Sequence, residues 1–324
     1  MNYLIWRAGT TTAPTTSSNG AASKDLSQRI LDTNPVLEAL GNAKSIRNNN
    51  SSRFGKYVNL KFSTSWKVMG AEVRTFLLEK SRVTNATLAK ERSYHIFYQL
   101  LAGAQLEAFG AALPLLRGKA PADFLYTSQS GTGYVDVIDD AADFAEVDAA
   151  LTSCGFTSNA KQTLYGIFIS LLFLGNIAFD GAEDAGDLAV AAESHAQLQQ
   201  AVELLGISDI SRLLVEKVVH SPRSSNVYHI PLGREPAIKQ RDALVRQIYH
   251  MLFEHIVARL NQTINTEKDS YRFIGALECV QDHRSSLCMH LSLSLRRRSR
   301  HQAPWAICSP PYHHATAREV PSAR

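Results

Sequence analysis

Apolar residues in this chain recur at two periods, one of about 3.6 and one of 2, and these divide it into helices and strands. The strongest signal lies over residues 235–264, where Leu244, Ile248, Leu252, Ile256 and Leu260 return every fourth residue, with Met251 beside the row. Such a row drifts slowly round a helix and still forms one broad apolar face. Pro236 suits the first turn, where its missing N–H costs nothing. The pattern predicts a long buried helix. Tyr94, Phe97, Tyr98 and Leu101 predict another over 91–101. Further helices are predicted over 144–154, 159–174, 195–205 and 209–218, and a short one over 25–34 that stops at Asn34-Pro35. Residues 57–62 alternate and predict a strand, followed by a turn over 63–67 and a second strand or helix start over 68–73. A compact apolar strand is predicted over 271–277. Residues 117–130 read as irregular, and the acidic, Gly-rich 180–187 as a surface loop.

Two stretches keep neither period. Residues 10–23 are Thr, Ser, Ala and Gly with little apolar content, which cannot offset the entropy of ordering them, so a flexible loop is expected. From about Cys279 to Arg324 no pattern is sustained, and residues 284–324 are expected to form a disordered basic tail. Seven Arg stand there against one acidic residue, Glu319, so the formal charge of +4 belongs to the tail and the body before it is slightly acidic. A nucleic-acid or membrane role for that tail is the less favoured reading, because the interleaved aromatic residues of a stacking platform are nearly absent. No nucleic-acid partner is expected.

The rest of the composition, 45% hydrophobic and 20% charged, is that of an ordinary soluble protein. The longest apolar run, 165–179, is interrupted by Gly166, Ser170, Gly175 and Asn176. It falls short of the roughly 18–20 residues of a membrane span, which favours a buried core helix. Residues 1–9 carry too short an apolar patch for a signal peptide. The four cysteines show neither a disulfide framework nor zinc spacing. A cytoplasmic location is therefore expected.

Candidate chemistry is concentrated in Asn42-Ala43-Lys44-Ser45-Ile46-Arg47-Asn48-Asn49-Asn50-Ser51-Ser52-Arg53-Phe54-Gly55-Lys56. Amides and hydroxyls are costly to bury without partners and compete with helix hydrogen bonds. A loop of short donors and acceptors beside Arg and Lys suits a phosphate or a hydrated cation. On composition alone an Asn-rich surface turn is an equally good reading.

The same run, with Asn34-Pro35-Val36-Leu37-Glu38-Ala39-Leu40-Gly41 before it, closely resembles the switch I region of myosin motor domains. The resemblance continues through Leu77-Leu78-Glu79-Lys80-Ser81-Arg82-Val83 and Glu91-Arg92-Ser93-Tyr94-His95-Ile96-Phe97-Tyr98-Gln99-Leu100-Leu101. It resumes at Leu174-Gly175-Asn176-Ile177, Arg241-Asp242-Ala243-Leu244 and Phe273-Ile274-Gly275, in the family's order. It implies a mainly helical α/β piece of a P-loop NTPase motor head over residues 1–283, with part of a larger parallel or mixed central sheet. It implies ATP and Mg²⁺ as cofactors and actin filaments as partner, in the cytoskeleton. Asn48 and Ser51 are implied as nucleotide-facing residues, Ser52 as a Mg²⁺ ligand, and Arg53 as the catalytic Arg that pairs with a switch II Glu. The loop implied to touch actin includes Val215, Ser224, Ser225, Asn226 and Tyr228.

The sequence departs from the family at several places. No Walker A stretch, G-x-x-x-x-G-K-[ST], occurs. Met1-Asn2-Tyr3-Leu4 resembles the helix that comes after that stretch, so Met1 is expected to be an internal methionine of a longer frame. Where the family has switch II, D-x-x-G-x-E, this chain has Glu278, Cys279, Val280, Gln281, Asp282 and His283. Arg53 is thus expected to lose its partner. For residues 284–324 a frame change, retained intron or faulty gene model is the favoured account, and a divergent tail the other. Sixteen residues before Asp242, where many members carry an acidic or phosphorylatable residue, stands Asn226, with Ser224 and Ser225 beside it. No lever arm is recognised, so light chains are not expected. Two functions remain in play: the middle part of an actin-based ATP-driven motor, or a catalytically dead piece that binds actin weakly at most.

Overall fold

A computed structural model describes residues 26–64, 66, 68–85, 88–110, 113–181, 188–220, 227–265, 272–278 and 290–295. The expectations for residues 1–23, 182–187, 224–226, 279–289 and 296–324 lie outside these residues.

Among the described residues, six longer helices and a four-stranded sheet frame the structure. Helix α1 (Leu26–Gly41) runs straight through Pro35. This corrects the expected stop at Asn34-Pro35. A mid-helix proline removes one hydrogen bond at a cost of about 3 kcal/mol, and burial of Val36, Leu37 and Leu40 against the core offsets it. Strands β1 (Gly55–Phe62) and β2 (Val68–Phe76) come next, so 68–73 is strand and not a helix start. Helix α2 (His95–Gly103) begins later than the predicted 91, because Glu91, Arg92 and Ser93 are buried in non-helical backbone before it. Helix α3 (Asp140–Ser153) is capped by Asp139, whose carboxylate accepts from the Ala141 and Ala142 N–H groups. Helix α4 (Ser158–Gly175) is capped by Thr157 and buries nearly all of its second half. Helix α5 (His195–Leu205) ends on Gly206 in the left-handed conformation.

The predicted helix over 209–218 is corrected. A short helix, Ser211–Val215, gives way to strand β3 (Glu216–His220), which pairs with β4 (Val227–Pro231) as an antiparallel hairpin. β-branched Val218 and Val219 fit a pleated strand better than a helix. Helix α6 (Arg234–Ile264) starts at Gly233 and buries Ala237, Arg241, Val245, Tyr249, Phe253 and Ile256. Of the predicted stripe, Leu252, Ile256 and Leu260 are buried as expected, while in the first half of α6 the buried face is rotated: Leu244 and Ile248 are only partly buried and Arg241 and Tyr249 lie in the core.

Strand β5 (Arg272–Glu278) pairs with β1, and β6 (His290–Leu295) pairs with β5. The sheet order is β6-β5-β1-β2, antiparallel throughout, and not the parallel or mixed pairing expected. Strand β6 falls inside the stretch read as patternless, yet Leu291, Leu293 and Leu295 alternate with serines there. At the opposite edge, α6 blunts β2. The Asn261 side chain accepts from the Val73 N–H at 2.7 Å and donates to the Val73 carbonyl at 2.7 Å, as a neighbouring strand would.

The core centres on Tyr249 of α6, which stacks on Tyr94 with ring centres 5.0 Å apart and meets Phe97 and Phe168. Its hydroxyl donates to the Leu40 carbonyl at 2.7 Å, joining α6 to the end of α1. Distant sequence motifs meet nearby. Arg241 donates to the Asp242 carboxylate and the Ile177 carbonyl, and Tyr126 donates to Asp242 at 2.6 Å. Gly175 lies so close under the Tyr126 ring that a Cβ there would come within 2.6 Å of it.

Candidate functional site

The polar loop leaves α1 and returns into β1 as a closed turn. Asn42 and Ala43 pair antiparallel with Ser52 and Ser51, and the Arg53 N–H donates to the Gly41 carbonyl at 2.8 Å. Within the turn the Asn50 N–H donates to Asn48 Oδ1 at 2.9 Å, a side-chain mimic of a backbone turn. Asn50 also accepts from Asn42 and donates to Glu38, each at 2.9 Å. Much of the amide content thus holds the turn itself in shape, as the surface-turn reading held. Asn48 and Ser52 are half-buried, Ser51 is buried, and Asn49 and Asn50 are exposed. Behind the turn Phe54 fills the space over Gly41, where a Cβ would come within 2.2 Å of its ring.

At the turn's end two side chains have defined partners. The Ser52 hydroxyl donates to the Phe54 carbonyl at 2.8 Å. Arg53 Nη1 lies 3.4 Å from the Glu79 carboxylate, and the Glu79 N–H donates to the Arg53 carbonyl at 3.0 Å. Arg53 Nε is buried and has no hydrogen-bond partner. Glu79 also accepts from Arg82 at 3.1 Å and 3.3 Å, and Arg82 reaches Glu91 at 2.5 Å. Burial works against the Arg82 charge, but its pairs with Glu91 and Glu79 outweigh this and hold its pKa above the ordinary value. The Tyr94 hydroxyl donates to the Glu79 carbonyl at 2.9 Å; burial, then the Glu79 charge, push that phenol well up.

The expected loss of Arg53's partner turns on residue 283. His283 lies outside the described residues; among the described residues, Glu79 supplies a carboxylate to Arg53. The sequence places Glu79 within a family-like motif without pointing to this role. Its signal is a charged residue between the apolar Leu77-Leu78 and Val83. The role of Lys56 is likewise not visible in the sequence. It reaches Glu278 at 2.8 Å and Asn34 Oδ1 at 3.2 Å, tying the end of β5 to α1.

A second expected surface stands apart. The β3–β4 hairpin exposes Val218, Val227, Tyr228 and Ile230, and Tyr228 is 54% exposed. Val215 lies at its root, packed against the core, with its carbonyl accepting from Leu232 at 2.8 Å. Ser224, Ser225 and Asn226 are outside the described residues.

The sequence model of the family described as myosin head (motor domain) matches residues 1–281. The chain belongs to that family. It is 35% identical to human unconventional myosin-Va and 36% identical to human unconventional myosin-Vb, each over 265 residues. These matches cover 81% of this chain and 14% of each relative. It is 32% identical over 272 residues to Myosin-1 of Aspergillus clavatus, covering 82% of this chain and 21% of that one. The chain thus spans a small part of the length of the curated relatives it matches.

Myosin heads use nucleotide and Mg²⁺, and the polar turn fits one wall of such a site. The Ser52 hydroxyl spends its proton on Phe54, which leaves oxygen lone pairs for a hard cation. Among the described residues no group of three His, Cys, Asp or Glu converges as a metal site. Among the described residues no helix is long and apolar enough to cross a membrane.

Proposed function

We propose that this chain is the switch I and upper actin-facing part of an actin-based, ATP-driven motor working on the cytoskeleton. In this reading Asn48 and Ser51 face the nucleotide phosphates, and the Ser52 hydroxyl is a Mg²⁺ ligand. Arg53 is the catalytic cation of this wall, held by Glu79, with His283 standing where the family's closing carboxylate would be. Bound Mg²⁺ would neutralise phosphate charge during transfer. The residues of the chain contribute position: the paired ends of the turn fix the wall, and Glu79 holds the guanidinium still. One observation carries the reading: Arg53 is anchored through Nη1 and its backbone, while its buried Nε is unspent. Exposed Tyr228 and its apolar hairpin neighbours are the proposed actin contact.

A second reading is favoured by the absence of a G-x-x-x-x-G-K-[ST] stretch in these 324 residues. Without that cradle of backbone N–H groups and Lys, most of the phosphate-binding energy is missing. The polypeptide by itself then hydrolyses no ATP and binds actin weakly. Calorimetry with Mg-ATP separates the two. The second reading expects no saturable binding at micromolar nucleotide, and tight binding would remove it. Co-sedimentation with actin filaments tests the shared part; absence from the pellet even at high actin removes the actin contact from both.

A further inference from the structure

A groove of about 570 Å³ opens between α4, the end of α5 and α6. None of its lining residues belongs to the polar turn or to the β3–β4 hairpin. Leu164 and Ile167 line it from α4, and Ile248 and Leu252 line it from α6. Each pair is set three or four residues apart, on one side of its helix. Leu164 and Leu252 are buried and form the floor, whereas Met251 on the rim is 59% exposed. Contiguous apolar surface rimmed by polar residues is the mark of a binding surface.

The charge of this groove is one-sided. Its polar members are Thr163, His255 and Arg259, and among the described residues no Asp or Glu lines it. His255 and Arg259 are exposed and stand one and two turns beyond Leu252, on the groove side of α6. The Arg259 guanidinium lies 5.8 Å from the centre of the Phe156 ring, which places it at the Phe156 end. Phe156 comes just before Thr157, the N-cap of α4, so the positive end of that helix dipole lies at the same place. Arg259 forms no ion pair among the described residues. The acidic residue nearest to it along α6, Glu254, lies 3.4 Å from His250 instead.

We propose that this groove binds an alkyl carboxylate of medium chain length. The carboxylate would sit against Arg259 and the start of α4, with His255 beside it. The chain would run over Leu252 and Leu164 towards Ile248 and Ile167. From Ile248 to Arg259 the helix advances about 16 Å, more than an extended decanoate needs. An alkyl chain requires no hydrogen bonds along its length, and the apolar floor offers none. A bare anion would gain nothing from that floor, and a cationic amphiphile would meet Arg259 with like charge.

Calorimetry of the whole chain with decanoate, kept below its micelle concentration, tests this. Saturable one-to-one binding is expected. Decyltrimethylammonium, with the same chain and the opposite charge, should not bind. Arg259→Gln removes the charge at an exposed position and should weaken decanoate severalfold. Thr163→Trp fills the groove from an exposed position of α4 and should abolish binding. Both variants should melt as the wild type does; if one does not, the other decides. No saturable decanoate binding, equal affinity for the cationic amphiphile, or unchanged affinity in either variant would overturn the proposal. None of these results depends on whether ATP or actin binds.

Discussion

The polar turn and the β3–β4 hairpin are both loop-borne, yet they are held in different ways. The turn is fixed from behind. Tyr249 supports the end of α1, Phe54 fills the space over Gly41, and a chain of ion pairs runs from Arg53 through Glu79 and Arg82 to Glu91. The hairpin is fixed from its root, by its own ladder, the Leu232–Val215 bond and Gln240 donating to the Leu213 and Glu216 carbonyls. Beyond that root its apolar side chains face outward. A surface that positions small groups needs rigid support behind it, whereas one that meets a large partner needs exposed area.

This comparison can be broken at several points. Tyr249→Ala should have the largest effect, removing a buried aromatic ring and its bond to Leu40, and should cost about 3–5 kcal/mol in urea unfolding. A loss under about 1 kcal/mol would mean that α6 does not support the turn.

The next effect concerns His95, which lies at the start of α2. Its folded pKa of about 4 lies below the ordinary 6.5, so the unfolded state binds more protons between these values. Stability from this group is fully present above pH 6.5 and is lost as pH falls towards 4. The full swing is on the order of 3 kcal/mol. Nearby Asp140 and Asp143 have raised pKa values and act in the opposite sense, so the wild type must be compared with His95→Gln. The difference between the two should shrink from pH 7 to pH 5.

Smaller again is Asn261→Leu, which would strip the Val73 N–H and carbonyl of their side-chain partner. The unmet groups should cost about 1–3 kcal/mol, and the bared β2 edge should raise aggregation, read by light scattering. Tyr228→Ala should change stability by less than about 0.5 kcal/mol, as exposed positions do. It should nonetheless lower actin co-sedimentation severalfold. A large stability loss there would mean that the hairpin side chain packs inward.

Legibility depended on what each signal encodes. The long helix over 235–264 and the strand over 57–62 were readable because a period of 3.6 or 2 survives in one dimension. Pro35 misled, because its local cost is visible in sequence while the burial of Val36 and Leu37 that offsets it is not. Residues 209–218 misled because apolar residues suit either period, and β3 is decided by its pairing with β4. The polar turn was recognisable by composition and by resemblance. Glu79 carries no local signal of its role, because its carboxylate reaches Arg53 across 26 residues of chain, including the whole β1–β2 hairpin.

By itself, the sequence determined the family, the order of helices and strands, and the residue types available at the polar turn, since these depend on local pattern and on motif order. The tertiary structure decided how the first half of α6 is turned, that Asn261 closes the β2 edge and that Glu79 pairs with Arg53. Each of these is a contact between segments far apart along the chain, and its energy comes from burial and desolvation that no single segment carries.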